Sequence, residues 1–195
     1  ADDMQNYLVA TAAAAADVRM SGGTKAVMTI CGSGNQGITA TLPVIAAVLS
    51  LKADEEMLYR SLALSCLITI HVKQFIGKLS PLCGCGMGSS IGVGCALTYL
   101  QGGGLSQIRS AINNMIADVS GIICDGAKAG CALKIATVIS SAYQCSLLAL
   151  RDLGAGELDG IVRADVENSI RNLGELGNRG MADTDRVILD MMVCR

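Results

Sequence analysis

The residues whose types and spacing permit chemistry are concentrated in CDGAKAGCALK, Cys124 to Lys134. Two cysteines stand seven positions apart there, with Asp125, Lys128 and Lys134 between or beside them. In a continuous helix seven residues rise about 10.5 Å, awkward for two thiolates on one small metal centre. Gly126 and Gly130 let the chain leave helical geometry. The stretch therefore predicts a turn carrying Cys124, then a helix starting near Gly130 with Cys131 in its first turn. The dipole and free N–H groups of a helix start favour a thiolate. Two thiolates are too few to hold a metal or an iron–sulfur cluster, so a third is expected from LCGCG, at Cys83 or Cys85. Three thiolates on a cubic cluster leave one iron open, a Lewis acid for a substrate hydroxyl, thiol or carboxylate.

Two further constellations lie upstream. In GSGNQG (Gly32, Ser33, Gly34, Asn35, Gln36, Gly37), a glycine-rich turn before a helix exposes N–H groups that bind anions. Asn35 and Gln36 add neutral donors. The Lys that a nucleotide P-loop needs after its last glycine is missing, so a small carboxylate is a better guest than a triphosphate. A plain tight turn accounts for the same composition. His71, with Lys73 and Lys78, precedes Cys83. Its functional reading is general acid–base work, and its bland one is a structural histidine on a helix. It is the one histidine in the chain and no C-x2-C pair occurs, which argues against a zinc finger or ribbon.

These groups must be positioned by a chain of 195 residues, enough for one domain with a sizeable core. Hydrophobic residues make up 51% and charged ones 16%, so the chain buries most of itself, in its own core or against a partner. With one Phe and no Trp, that core is built from Ala, Leu, Ile, Val and Met, and 23 glycines point to close backbone approaches. A net charge of −2 without a basic run speaks against nucleic acid. No signal-peptide pattern opens the chain and no uninterrupted apolar run reaches about 18 residues, so a cytoplasmic protein with no membrane partner is expected. The first residue is not Met, consistent with a piece excised from a longer protein. The nine cysteines are an odd number in a chain with no export signal. Cys66, Cys95 and Cys145 read as small buried hydrophobes.

The pattern predicts an all-α fold, a single compact multi-helix domain over residues 1–195 with glycine-rich loops at helix junctions. Helices are expected over 2–20, ended by Gly22 and Gly23, and over 38–51 despite Pro43. The next runs from an N-cap at Asp54 to about Gly77, with Leu58, Leu62, Leu67 and Ile70 on its apolar side. Four more are expected over 87–100, 105–119, 129–150 and 164–176, and a last one over 184–192. Residues 26–31 are a strand or an extended approach, Cys31–Gly37 a loop. Small residues at Gly88, Gly92 and Ala96 let two helices touch backbone to backbone. Glu167 and Arg171 form an i,i+4 pair on a solvated face.

At these residues the chain resembles a known family. GSGNQGITATLPV, KLSPLCG, GIICDGAKAGCALK, DGIV and TDRVILDMM, in this order, look like the serine dehydratase α-chain-like family. The closest branch is L-cysteine desulfidase and its uncharacterised bacterial relatives. The likeness runs from about residue 19 to 192. It implies an all-helical catalytic domain with a 4Fe–4S cluster held by Cys83, Cys124 and Cys131 and an open iron that binds substrate. It implies α,β-elimination of an amino acid to an enamine that hydrolyses to pyruvate and ammonia. The leaving group is hydrosulfide from L-cysteine or, in the alternative, water from L-serine. The GSGNQG loop matches the substrate-anchoring segment. Family members carry an N-terminal half that this chain lacks, so that half or a second copy is the expected partner. Lys128, Lys134 and His71 are candidate bases. Cys31 and Cys85 stand where the resemblance implies no cysteine. Cys194 lies near the end of the chain, but its surroundings do not match the cysteine tail of some serine dehydratases. The competing classes are a non-catalytic helical domain with structural cysteines and, more weakly, a zinc-binding structural domain.

Overall fold

The computed structural model describes residues 2–194 and, among them, eight α-helices and no strand. Helix α1 (Asp2–Met20) and helix α2 (Gly34–Leu51) are joined by an irregular segment. Helix α3 (Glu55–Ile76) begins at the expected cap, where the Asp54 carboxylate accepts from the Met57 N–H at 2.8 Å. Helix α4 (Ser90–Leu100) continues a π-helical turn over Cys85–Ser89. Helix α5 (Leu105–Val119) is amphipathic, and helix α6 (Gly130–Ala149) starts where Gly130 predicts. Helix α7 (Val166–Glu175) runs into a second π-turn over Leu176–Gly180, followed by helix α8 (Thr184–Val193).

Helix α4 is the axis of the bundle. Its residues Ser90 to Thr98 are buried, and it packs on α2, α3, α5 and α6. Small residues make this possible. A Cβ on Gly92 would stand 2.3 Å from the Ser65 carbonyl oxygen of α3, so the α3–α4 contact is backbone on backbone, as the Gly88–Gly92–Ala96 spacing predicts. Helix α1 covers α6 and α2 from the outside.

Several expectations are corrected. The inward face of α3 is not its leucine side. Ser61, Ser65, Thr69 and Lys73 point inward, whereas Leu67 and Ile70 are exposed. The α4 backbone approaches too closely for large side chains, so small hydroxyl residues fill the seam and bond locally. The Ser65 hydroxyl donates to the Ala40 carbonyl and that of Thr69 to the Ser65 carbonyl, both at 2.7 Å. The GSGN loop ends sooner than expected, because Gly34 to Gly37 form the first turn of α2. Residues 26–29 take no regular structure, Ile30 makes only an isolated bridge to Ser33, and Cys31 lies in the turn between them. Arg171 donates to Asn168 Oδ1 at 2.6 Å rather than pairing with Glu167. Helices α2 and α6 are each long and apolar enough to cross a bilayer, although no uninterrupted apolar run is. Buried core helices share that property, and two-thirds of α2 (67%) is buried inside the fold.

Candidate functional site

Three helix starts meet at one place. The first is that of α2. Cys31 and Gly32 take left-handed backbone angles, φ 51° and 79°, which turn the chain into the helix. Ser33 caps α2, its hydroxyl accepting from the Gln36 N–H at 3.4 Å. Asn35 and Gln36 are both buried. The Asn35 side chain is a strut: its Oδ1 accepts from Arg19 Nη1 at 3.0 Å, and its Nδ2 donates to the Met20 sulfur at 3.3 Å. The Gln36 carbonyl accepts from the Ser89 hydroxyl at 3.0 Å, which ties α2 to the turn before α4.

The second start is the π-turn at Cys85–Ser89. A Cβ on Gly84 would lie 2.8 Å from Gln36 Nε2, so the glutamine carboxamide lies flat against the backbone between Cys83 and Cys85. The third is α6, with Cys131 in its first turn and its Sγ donating to the Gly126 carbonyl at 3.6 Å. Two backbone bonds join the cysteine loops. Cys83 N–H donates to the Ile122 carbonyl at 2.9 Å, and Cys124 N–H to the Pro81 carbonyl at 2.6 Å. Residues 41 positions apart in sequence are thereby held side by side.

Two lysines set the electrostatics. Lys73 of α3 is only 6% exposed, its stem packed on Gly88 and its ammonium donating to the Lys78 carbonyl at 3.3 Å. Burial holds its pKa below the usual lysine value, only partly offset by the thiols of Cys31, Cys85, Cys124 and Cys83 in electrostatic reach. Lys134 of α6 sits above the usual lysine value. Burial opposes this, but an ion pair with Asp125 and the nearby Cys83 and Cys124 outweigh it. Asp125 also holds Lys128 at 3.2 Å, and the Lys134 bond keeps its carboxyl below the usual range. The Cys83 and Cys85 thiols are within hydrogen-bonding reach of each other. The bond from Cys85 holds Cys83 below the ordinary thiol value against the effect of burial, and Cys85 is pushed up by the same contact and by burial.

Cys83 and Cys124 are thus held side by side, Cys131 is in electrostatic reach of Cys85, and Cys31 is in reach of Lys73. Among the described residues no three His, Cys, Asp or Glu side chains close into a ready-made site for a single metal ion. The donor set is all thiol and faces two ammonium groups, the chemistry that suits an iron–sulfur cluster, and in that respect the residues fit one. Of the candidate bases, Lys128 and Lys134 are held by Asp125 at the rim. His71 stands apart on the α3–α7 seam, 2.8 Å from Glu167 Oε2 and edge-on to Phe75. Lys73, two residues further along α3, is the group that the sequence reading placed only in passing. A lysine at position i+4 from Thr69, on the row of small inward residues, was the available signal. Cys194 lies at the end of α8, a helix that buries no residue.

The model of the serine dehydratase alpha chain family matches residues 2–190. A UPF0597 protein of Clostridium perfringens is 47% identical over 98% of this chain and 45% of its own length. One from Oleidesulfovibrio alaskensis is 45% identical over 100% of this chain and 45% of its own, and one from Aeromonas hydrophila 46% identical over 98% and 44%. The chain spans a little under half the length of these curated relatives. No solved structure matches. With a family model matched along nearly its whole length, the chain belongs to the serine dehydratase alpha chain family.

Proposed function

We propose that this chain carries the cluster-binding and substrate-binding part of an amino-acid lyase that eliminates hydrosulfide from L-cysteine. The observation that carries the reading is that backbone bonds hold the Cys83 and Cys124 loops side by side, with Lys73 and Lys134 in electrostatic reach of both thiols and Cys131 in reach of Cys85. In this reading those three cysteines hold a 4Fe–4S cluster. When bound, it supplies a Lewis acid that draws electron density from the departing β-substituent. The protein's own residues do the rest. The first turn of α2 and Gln36 anchor the amino acid. Asn35 keeps that turn in place through Arg19. Lys73 keeps the pocket positive, and the packed α3–α4 seam keeps water out.

The reaction removes the α-proton and expels the β-sulfur, leaving an enamine that tautomerises and takes up water to give pyruvate and ammonia. Net, one cysteine and one water yield pyruvate, ammonia and hydrogen sulfide. L-serine, losing water instead, is the alternative substrate, since it differs only at the leaving atom.

Leu79, Ile123 and Leu133 are exposed apolar side chains in or next to the cysteine loops, with Leu79 95% and Leu133 75% exposed. Such a rim favours a covering partner, and the part of the relatives that this chain does not span is the occupant we favour. Anaerobic reconstitution with iron and sulfide tests the whole reading. A broad visible charge-transfer band that L-cysteine perturbs more than L-serine is expected. A folded chain that takes up no iron, alone or with the rest of a full-length relative, would sink it.

A further inference from the structure

We infer that Lys73 and Gln36 are the two poles of a zwitterion site, the buried Lys73 ammonium taking the carboxylate of an α-amino acid and Gln36 Oε1 taking its ammonium. This rests on the reading of the thiol pocket as an amino-acid site, and it names the groups that read the two ends. Lys73 is 6% exposed and carries three N–H donors, of which the Lys78 carbonyl takes one. Among the described residues no carboxylate forms an ion pair with it. A buried cation calls for an anion, and the stem of this one packs on Gly88, in the π-turn that follows Cys83.

Gln36 is the complementary case. It is 6% exposed, and its backbone N–H and carbonyl are both engaged, by Ser33 and Ser89. Its Oε1 is buried without any hydrogen-bond partner. Ser61 and Asn113 carry the other orphan side-chain oxygens, and neither adjoins a cysteine of the pocket in sequence. The Gln36 carboxamide lies against Gly84, between Cys83 and Cys85, and the Lys73 stem packs on Gly88 one turn further along. An orphan acceptor and an unpaired cation therefore flank one turn of chain. An amino acid supplies what each lacks, a donor cation for the oxygen and an anion for the ammonium.

The test is a binding matrix measured by calorimetry on the reduced, anaerobic chain. The ligands are L-cysteine, 3-mercaptopropionate (no amine) and cysteamine (no carboxylate). The proteins are wild type, Lys73→Met and Gln36→Met. Methionine keeps each stem, so the packing on Gly88 and Gly84 survives. Wild type is expected to prefer L-cysteine to either analogue by roughly tenfold or more, the worth of a bond to a charged group. Lys73→Met should abolish the preference over cysteamine and keep that over 3-mercaptopropionate, and Gln36→Met should do the reverse. A variant that weakens all three ligands equally would overturn the assignment while leaving the amino-acid reading intact. A wild type that binds none of them would overturn both. A second measurement needs no ligand. Gln36→Met removes an orphan oxygen from the free protein and should raise its melting temperature by roughly 2–4 °C. A fall would mean that the oxygen is satisfied, and would also overturn the assignment.

Discussion

Cys95 and Cys145 lie in the interiors of α4 and α6, whereas Cys83, Cys85 and Cys131 lie where helices begin and Cys124 lies in the loop before α6. The first pair is surrounded by apolar atoms, and burial pushes each thiol up to about 12. They are hydrophobes of convenient size, as read from the sequence. In the second group, Cys83 sits against another thiol, backbone N–H groups and Lys134, and is held below the ordinary thiol value although it too is buried. Burial alone thus does not decide what a cysteine is. The decisive difference for Cys83 is that donors and a cation stand ready for its charge, whereas Cys85, whose thiol bonds to that of Cys83, is pushed up like the core pair.

The sharpest way to break this comparison is to delete members of each group. Cys83→Ala, Cys124→Ala and Cys131→Ala are each expected to abolish iron uptake on reconstitution. Cys95→Ala should leave iron content unchanged and cost about 1–2 kcal/mol of stability, since it leaves a small void. Iron and sulfide analysis beside a denaturation curve reads both. A Cys124 variant with full iron content would place that residue with the core thiols.

The core thiols make a prediction of their own. A thiol near 8.5 in the unfolded chain and about 12 in the fold keeps its proton longer when folded. The stability that this represents is fully present below pH 8.5 and is lost as pH rises toward 12. The loss is about 1.4 kcal/mol per pH unit for each such thiol. Denaturant midpoints should therefore fall steeply between pH 8.5 and 10.5, and less steeply in Cys95→Ala. Parallel slopes in the two proteins would mean that Cys95 reaches solvent.

How much of this was legible in the sequence depended on range. Helix α1, the Asp54 cap and the start of α6 follow from local signals, which capping and glycine carry within four residues. The spacing Gly88–Gly92–Ala96 announced a close helix contact. It did not say which face of α3 would meet it, and that choice turned Ser61, Ser65, Thr69 and Lys73 inward and left Leu67 exposed. Hydropathy ranks a leucine above a serine, but a backbone-to-backbone seam admits only the serine. Gly34 to Gly37 read as loop because glycine disfavours helix, yet close packing over the first turn of α2 overrides propensity. The cysteine set was legible from glycine-rich junctions together with family resemblance. Lys73 was not singled out, because its importance arises from contacts with loops that are distant in sequence.

The rim of the pocket gives the smallest effect, and it sharpens the contrast between thiols held by the fold and charges held at the surface. Asp125 pairs with Lys134 and Lys128 and is itself about a third exposed (36%), so solvent screens much of the interaction. Its carboxyl is depressed in the fold, chiefly by the Lys134 bond. The stability it adds is therefore present above about pH 3.9, the unfolded value, and disappears as pH falls through the lower folded value. Asp125→Asn should cost at most about 1 kcal/mol at pH 7, less in high salt, and nothing once the wild-type carboxyl is protonated. Urea curves of the two proteins at pH 7 and pH 2.5 would read this. A gap that persists unchanged at low pH would show that Asp125 acts by shape rather than charge. The Cys124 loop would then be held by its backbone bonds to Pro81 and Cys83 and by the Lys134 bond to the Ile123 carbonyl, with the ion pairs adding nothing to the placement of the thiols.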